Sequence, residues 1–480
     1  MSNTYRISRL LVGMFLLAGL LPVGRLHAAE PAKVFRAGAY AQDITPTKFP
    51  ISVNGGMQDR QATAAHDRLH ARCLVLDDGT TRIAIAVCDS CMIPREILDE
   101  AKRRASQATG IPPDRMLISA THTHTAPTVA GVFQSEPDAD YQKYLTEQIA
   151  RGIEKAAANL APARVGWGVG RDPTQVFNRR WKMKPGTVPP GPFDPTTDLV
   201  KMNPGFQAPG LLEPAGPTDP DVSFLSVQSR EGKPIAFLAN YSLHYVGGVP
   251  PLSADYFGAF AERIRQLLNA DSSFVGILSN GTSGDINNNN YGAPAPQQKF
   301  APYEKCRLVA DSVARAAFDA YRQIKHHDWV PLAMAEKEIE LGVRLPDEKD
   351  LARAKVILEK AKGRELRGLP EIYARETVLL AKYPPKVRLK LQAIRIGELG
   401  IAAIPCEVFV DIGLEIKRKS PLKPTFTIEL ANGYNGYLPT PEQHKLGGYE
   451  TWRARSSYLE VDASPKITAT VLELLAQVAK

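Results

Sequence analysis

The sequence predicts an α/β fold in which layered mixed β-sheets are flanked by helices within a single large domain. Short β-branched and apolar runs, such as RIAIAV, alternate with segments of helical periodicity, such as REILDEAKRRASQATG, which ends at a glycine. This alternation is typical of sheets that are covered by helices. In addition, no internal repeat and no linker divides the 480 residues convincingly.

The chain begins with a segment typical of a signal peptide. Two arginines precede an apolar run from Leu10 to Val23, and the small-residue sequence LHAA follows. Because the run is too short to cross a bilayer, we expect residues 1–28 to be cleaved and residues 29–480 to form the mature domain. The protein is then expected to be periplasmic or secreted.

The charge of the chain gives no reason to expect a nucleic-acid partner. The formal net charge is +8, and loss of the signal peptide, which holds three arginines and no acidic residue, lowers it to +5. This modest excess is not gathered into a basic block interleaved with aromatic residues.

The five cysteines are too sparse for the framework of a small disulfide-stabilised domain, and their odd number leaves at least one thiol without an intrachain disulfide partner. Cys88 and Cys91 form a CxxC motif directly after RIAIAV. The motif fits a redox pair, a local disulfide or half of a metal site. Core packing or a disulfide is favoured, because no second CxxC is present to complete a zinc site.

The remaining elements follow in order. Strands are predicted in RMLISATHTH and ARVGWGVGR, with a helix between them that ends at a proline. Residues 184–220 are rich in proline and glycine and are predicted to form a long irregular loop, of the kind that serves as a lid or is disordered. A hairpin with its turn at Arg230 to Lys233, a helix and the strand FVGILSNG come next. Residues 347–382, charged and leucine-spaced, predict a helical insertion.

Two histidines end the strand predicted in LISATHTHTAP. Alternate side chains of a strand share a face, so His122 and His124 are expected to point the same way, with Cβ atoms about 6–7 Å apart. This spacing lets both imidazoles address one metal ion. The alternative is an ordinary polar strand end.

Two further residues occupy places where a polar group needs a partner. His244 ends the apolar strand PIAFLANYSLHY and precedes two glycines, which is typical of a strand end that opens into a cleft. Glu407 lies in the apolar stretch IAAIPCEVFVDIG, where an ionised carboxylate is costly unless a partner or a metal neutralises it. The alternatives are a hydrogen-bonded core histidine and a solvated edge carboxylate.

Two polar loops complete the candidate site. SNGTSGDINNNNYG, residues 279–292, follows a strand and could present backbone N–H groups to an anion or a developing oxyanion, or could be a simple asparagine-rich turn. The loops NGYNGYLPT and GGYETW offer Tyr434, Tyr437 and Tyr449, which either pack or face a site.

These motifs, in this order, resemble the neutral (non-lysosomal, alkaline) ceramidase family, from AGAYAQDITP at residue 37 to about Tyr458. The family's THTHSGP-type segment is matched by residues 121–127, and its asparagine-arginine element by Asn178 and Arg179. Its NxxxH-type strand end is matched by ANYSLH, and its PGE-type segment by residues 405–407. Its two tyrosines twelve residues apart are matched by Tyr437 and Tyr449.

The resemblance implies one zinc ion and a substrate site around it. The ion would be held by His122, His244, Glu407 and Tyr437. Nitrogen and oxygen donors of this kind suit Zn²⁺, with a water completing an open catalytic site. The catalytic positions would be His124, Arg179, Tyr449 and Asn287, and Gly284 and Asp285 would bind substrate.

Two departures from the family pattern bear on mechanism and size. Asn287 stands where the family's GDVSPN segment carries a serine with a proposed catalytic role, and an amide cannot act as a nucleophile. The chemistry is therefore expected to rely on zinc-bound water. Many members continue into a C-terminal immunoglobulin-like domain, whereas this chain stops at Lys480, so we expect a catalytic domain alone.

The resemblance thus implies an exported zinc-dependent amidohydrolase that cleaves an N-acyl amide, either ceramide or a related N-acylated lipid or amine. His124 would carry the proton to the leaving amine. The expected partner is a small amphipathic N-acyl amide, with contact to a lipid surface as a further expectation. The alternatives are a zinc hydrolase of another ester or of an N-acetyl amide, and a zinc-stabilised binding protein without catalysis.

Overall fold

The computed structural model describes residues 1, 2, 4, 7, 11, 33–192, 197–361 and 365–480. Val34–Lys480 form one compact unit, and Met1–Lys33 form a second unit of which few residues are described. The predicted signal peptide, residues 1–28, lies almost wholly outside the described residues, so its cleavage stays a prediction. Among the helices that are described, none has the length and apolar character needed to span a membrane.

The elements alternate along the chain as the sequence indicated. The amino-terminal half contains β1 (Arg36–Asp43), β2 (Ile51–Val53), β3 (Arg60–Ala62), β4 (His70–Asp77), β5 (Arg82–Cys88), α1 (Arg95–Thr109), β6 (Met116–Ala120), α2 (Ala139–Ala158), β7 (Ala161–Arg171), β8 (Phe177–Asn178), β9 (Arg180–Met183), β10 (Val200–Met202), β11 (Leu211–Pro214), β12 (Asp221–Ser229) and β13 (Pro234–Tyr241). The remainder contains α3 (Asp255–Leu267), β14 (Val275–Asn280), β15 (Ile286–Asn287), α4 (Glu304–Tyr321), β16 (Leu332–Gly342), α5 (Glu348–Lys360), α6 (Leu369–Leu380), β17 (Lys386–Ile396), β18 (Leu399–Ile404), β19 (Glu407–Val408), α7 (Val410–Lys419), β20 (Thr425–Glu429), β21 (Tyr437–Leu438), α8 (Pro441–Leu446) and α9 (Ala463–Val478).

Two mixed sheets form the centre of the unit. The larger has eight strands in the order β14-β13-β12-β7-β1-β4-β5-β6, and the smaller has four in the order β16-β17-β18-β20. In each sheet antiparallel pairings are combined with parallel ones, which join β5 to β6, β13 to β14 and β18 to β20. The predicted α/β class with layered mixed sheets and flanking helices is confirmed.

The alternation of side chains along β4 shows how the layers are held together. Cys73 and Val75 face the cluster formed with α1 and α2, whereas Leu74 and Leu76 face the cluster shared with the smaller sheet. Because alternate residues of a strand point to opposite faces, a continuous apolar run such as RCLVL buries both. Helices α7 and α9 cover the other face of the smaller sheet.

Three sequence predictions are refined by the structure. The expected irregular loop over residues 184–220 is wrong in part, because β10 and β11 lie within it and pair with β9. Residues 347–382 hold two helices, α5 and α6. All five cysteines are buried and free, so Cys88 and Cys91 form no disulfide.

The backbones of β7 and α4 approach closely at Gly170, and this contact predicts the effect of a substitution on the stability of the fold. A Cβ built on Gly170 would lie 2.2 Å from the carbonyl oxygen of Ala316. We expect Gly170→Ala to lower the free energy of unfolding by about 1–3 kcal/mol, as overpacking does, and thus to lower the urea midpoint. Gly191→Ala is the matched control, since the nearest atom there is 3.7 Å away. Equal midpoints for the two variants would contradict this packing.

Candidate metal centre

Three distant parts of the chain meet at one buried point. His122 follows β6, His244 follows β13, and Glu407 begins β19. Each of the three residues exposes 2% of its surface or less. These side chains therefore meet in a region from which bulk water is excluded.

The geometry around His122 differs from the strand that the sequence predicted. Strand β6 ends at Ala120, and His122 has a positive φ of 70°. Its backbone N–H donates to Ser90 O at 2.9 Å, which holds the turn. The prediction that His122 and His124 share one strand face is therefore wrong. Their rings nevertheless lie close, with Nε2 atoms 3.2 Å apart in an edge-to-face arrangement.

The donor atoms have the spacing of a metal-ligand set. His122 Nε2 lies 3.0 Å from His244 Nε2 and 3.2 Å from Glu407 Oε2. The distance from His244 Nε2 to Glu407 Oε2 is 3.9 Å. Ligand atoms around tetrahedral zinc at bond lengths near 2.0–2.1 Å are about 3.3 Å apart. The three atoms thus surround a space of the right size for such an ion.

Hydrogen bonds on the far side of each ring set the chemistry of the donors. His122 Nδ1 lies 2.8 Å from Cys91 O, and His244 Nδ1 lies 3.1 Å from Ser283 O. Each Nδ1 must therefore carry the hydrogen, which leaves an Nε2 lone pair pointing inward in the neutral imidazole. Glu407 Oε2 has no hydrogen-bond partner in the described structure. Two lone pairs and a buried carboxylate oxygen converge, and a cation at that point would satisfy all three.

The pKa values of the rings follow from the same arrangement. Burial, Arg179 and the neighbouring histidines hold the pKa of His244 well below its usual range. His122 differs, because burial opposes its charge but Cys91 and Glu407 hold its pKa well above the usual range. Positive charge is thus favoured on the ring of His122 and disfavoured on that of His244. A second donor group, Cys91 with His122 and His124, shares the same ring but lacks the carboxylate.

Tyr437, predicted as the fourth ligand, stands beside Glu407 in the structure. The two residues are register partners in the short parallel pairing of β19 with β21. The Tyr437 hydroxyl accepts a hydrogen bond of 3.1 Å from Arg179 Nη2. Arg179 in turn donates from Nε to Glu450 at 3.0 Å and from Nη2 to Gly284 O at 2.8 Å. Arg179 therefore contacts the site through Tyr437.

A small cavity of about 30 Å³ lies beside the donor atoms, and His124 and Tyr449 are among the residues that line it. Tyr245 stacks on His124, with ring centroids 3.6 Å apart, and Tyr449 packs edge-to-face against Tyr437 at 5.7 Å. The cavity is lined by Gly55, Gly56, Met92, His122, His124, Val132, Phe133, Glu407, Tyr434, Tyr437, Tyr449 and Ser456.

Besides His244 and Arg179, described above, three predicted site residues do not line this cavity. A Cβ on Gly284 would lie 2.6 Å from Glu407 O, so only glycine allows this backbone to pass the ligand strand. Asp285 accepts hydrogen bonds from Asn178 at 2.8 Å and from Val410 N at 2.9 Å. Asn287 donates to Asn203 at 2.8 Å. These contacts support the site from outside.

The proposed anion-binding role of residues 279–292 is wrong for the amides at its centre. Gly281 N donates to Tyr241 O and Gly284 N to Val408 O, each at 2.9 Å. Ser283 N donates to the carboxylate of Glu429 at 3.3 Å. These N–H groups are engaged by acceptors within the protein and are not available to a ligand.

Glu429, at the end of β20, is a supporting residue that the sequence analysis missed. It is fully buried and accepts from Ser283 Oγ and from Val408 N, each at 2.7 Å, and so connects Ser283, whose carbonyl oxygen lies 3.1 Å from His244 Nδ1, with the backbone beside Glu407. Burial raises its pKa to about 8. Glu429 lies in FTIEL, so it is a carboxylate within an apolar strand. The same kind of pattern indicated Glu407 in the sequence.

Glu450 was also missed. It is fully buried and its two oxygens accept from Arg179 at 3.0 Å and Arg180 at 2.6 Å. The single carboxylate thus balances two buried guanidinium groups. Removing one partner of such a buried network leaves an uncompensated charge, which is costly.

Comparison with known proteins agrees with the fold and the motifs. No family model matches the chain. The chain is similar to the neutral ceramidase of Mycobacterium tuberculosis, with 22% identity over 493 residues that cover 85% of this chain and 72% of that protein. A crystal structure of the neutral ceramidase from Pseudomonas aeruginosa matches with a TM-score of 0.65 and 17% identity, covering 94% of this chain and 74% of that one. A ceramidase complexed with C2 matches with a TM-score of 0.66 and 17% identity, covering 93% and 75%.

The protein is thus a mixed α/β domain with a buried histidine and carboxylate centre. The resemblance to the neutral ceramidase family that the motifs indicated is confirmed by this relative and by the shared fold.

The donor set predicts which side chains a zinc ion needs. We expect His244→Ala to lose high-affinity zinc, because two remaining donors cannot complete the set formed by His122, His244 and Glu407. Zinc per chain is measured after dialysis against a weak chelator. His66→Ala is the control, since His66 stacks on Tyr303 outside the centre. Full zinc retention by His244→Ala would rule out this assignment.

The hydrogen bonds of Glu429 predict an effect on zinc affinity from outside the donor set. A glutamine at this position offers one acceptor oxygen in place of two, so either the hydrogen bond from Val408 N is lost or the one with Ser283 Oγ reverses its direction. We expect Glu429→Gln to bind zinc about 10–100-fold more weakly, the usual cost of losing a residue that orients ligands. Competition with a chromophoric chelator measures the affinity. The exposed Glu340→Gln variant should equal the wild type, and equal affinity for Glu429→Gln would contradict the role.

Proposed function

We propose that this chain is an exported zinc-dependent amidohydrolase that cleaves an N-acyl amide. The observation that carries the proposal is the convergence of two imidazole lone pairs and the unpartnered Glu407 oxygen beside a cavity. The relative and the solved structures named as ceramidases support the reaction class, because ceramide is an N-acyl amide.

The zinc ion would be held by His122, His244 and Glu407, with Tyr437 at hand as a fourth ligand. When bound there, zinc would polarise a carbonyl group and make a water molecule a nucleophile near neutral pH. The residues that hold the ion are buried and anchored by their own hydrogen bonds. These side chains are therefore already oriented in the folded protein, and no free energy is needed to orient them during the reaction.

We assign the proton transfer to His124. Its ring lines the cavity, and it makes a hydrogen bond with the backbone of Gly55. Its Nε2 lies 3.2 Å from His122 Nε2, at the inner side of the cavity. An imidazole held in this way can take a proton from the attacking water and donate it to the leaving amine.

The position of Tyr449 supports a role in stabilising the negative charge that develops on the carbonyl oxygen. Tyr449 lines the cavity, while Arg179, a second group that could donate to this oxygen, is held behind Tyr437. Arg179 contributes positive charge and orients the Tyr437 hydroxyl. We therefore assign the direct hydrogen bond to the developing oxyanion to Tyr449 and a positioning role to Arg179.

The loss of one hydroxyl tests this assignment. We expect Tyr449→Phe to lower kcat on the order of 100-fold, as does the loss of one oxyanion donor, while zinc content stays the same. Release of amine from a panel of N-acyl amides measures the rate. Tyr40→Phe is the control, because Tyr40 lies on β1 and contacts Lys155.

Two outcomes would reject the proposed function. Full zinc content and full activity in His122→Ala would show that the reaction takes place elsewhere. Stoichiometric binding of acyl amides by the zinc-loaded wild type, without turnover of any member of the panel, would identify a binding protein instead.

A further inference from the structure

The size of the cavity at the metal centre limits what can bind there. One water molecule needs about 10–15 Å³ of such space, and pockets for larger organic ligands measure about 300–1,000 Å³. The cavity of about 30 Å³ therefore accepts only a few non-hydrogen atoms. A long hydrocarbon chain does not fit within these walls.

Phe133 forms part of the apolar wall, together with Met92 and Val132. Its side chain is buried, and its ring lies 6.5 Å from the ring of Tyr449 and 6.0 Å from that of Tyr373, measured between centroids. It is the largest of the three apolar side chains in the wall. Truncation of Phe133 would therefore enlarge the cavity most.

The backbone at Phe133 needs support from its surroundings. Its φ is +55°, a region that a bulky residue rarely occupies. Its carbonyl oxygen accepts hydrogen bonds from Arg375 and from Arg455, the latter at 3.0 Å. Two guanidinium groups thus hold this carbonyl in place.

Those guanidinium groups are themselves held by the helical insertion, residues 347–382. Arg375 lies on α6, and the fully buried Glu376, also on α6, accepts two hydrogen bonds from Arg455, at 2.9 and 2.7 Å. Gln134 Nε2 donates to Leu366 O at 3.0 Å and links the next residue of the loop to the same insertion. The insertion therefore fixes the wall of the cavity.

The chemistry of the lining indicates which part of the substrate meets this wall. Met92, Val132 and Phe133 offer only apolar side chains, whereas His124 lies with the donor atoms on the polar side of the cavity. The leaving amine needs the proton that His124 carries, and the acyl chain is apolar. The amine therefore belongs beside His124 and the acyl chain against the apolar wall.

We propose that Phe133, held by the helical insertion, limits the acyl group to a short chain of about acetyl size. This inference rests on the proposed function, since it assigns the substrate class of the same site. It makes short-chain N-acyl amides the preferred substrates. The helical insertion thereby determines specificity without contacting the reacting atoms.

The binding of alkyl hydroxamates tests the chain-length limit without relying on turnover. Hydroxamates from acetyl to dodecanoyl are titrated calorimetrically into the zinc-loaded protein. We expect wild-type affinity to fall on the order of tenfold once the chain overfills the cavity. In Phe133→Ala the optimum should move to longer chains, with a gain of about fourfold for each methylene group that finds space.

Further variants guard against an unfolded mutant and against a general effect of losing a phenylalanine. Phe133→Leu keeps an apolar side chain and should shift the optimum by a smaller amount. Phe206→Ala is the matched control, because Phe206 packs against Tyr291 outside the cavity, and its length profile should equal that of the wild type.

Hydrolysis of N-acyl amides with the same chain lengths is measured in parallel. Equal wild-type affinity for acetyl and dodecanoyl hydroxamates, or an unchanged profile in both Phe133 variants, would overturn the chain-length limit. A length-dependent hydroxamate profile without hydrolysis of any amide would uphold the limit and reject the proposed function. The two failures are thus distinguishable.

Discussion

Mutual repulsion among buried donor atoms is the constraint on which the rest of this structure depends. The Nε2 atoms of His122 and His244 are 3.0 Å apart, and a carboxylate oxygen of Glu407 lies 3.2 Å from the first. In a region of low dielectric, lone pairs and negative charge at these distances repel strongly unless a proton or a metal ion lies among them, and the raised pKa of His122 reflects this demand for positive charge. The fold holds the three side chains together through the hydrogen bonds of His122 to Cys91 O and of His244 to Ser283 O, and through the pairing of β19 with β21 at Glu407.

The supporting contacts explain why so many polar residues are buried near the site. Glu429 connects Ser283, which accepts from His244, with the backbone beside Glu407. Glu450 connects Arg179, which contacts Tyr437, with Arg180. Buried polar groups are tolerated when their hydrogen bonds are satisfied, and a satisfied network is also rigid. A rigid network keeps the donor atoms at the positions that a bound cation requires and prevents the side chains from turning away from one another.

The helical insertion contributes to the centre in a different way. It supplies no donor atom, but its Arg375 and Glu376 hold the loop that carries Phe133. The donor set is carried by segments that follow β6 and β13 of the larger sheet and β18 of the smaller one, whereas the wall of the cavity is held by a peripheral pair of helices. Chemistry and substrate size are thus determined by separate parts of the fold. Changes in the insertion can alter substrate size while the donor atoms stay in place.

Much of the architecture and the residue types of the site could be predicted from the sequence, because they depend on local pattern. The continuous apolar run in β4 predicts a strand that is buried on both faces, and a carboxylate within an apolar stretch, as at Glu407, predicts a buried partner. The sequence could not show that His122 leaves the strand at positive φ, since a hydrogen bond to Ser90, distant in the chain, holds that turn. Nor could it show that Asn287 lies outside the cavity, or that Phe133 lines it. Those facts depend on how distant segments pack, and the tertiary structure alone brings the segments together.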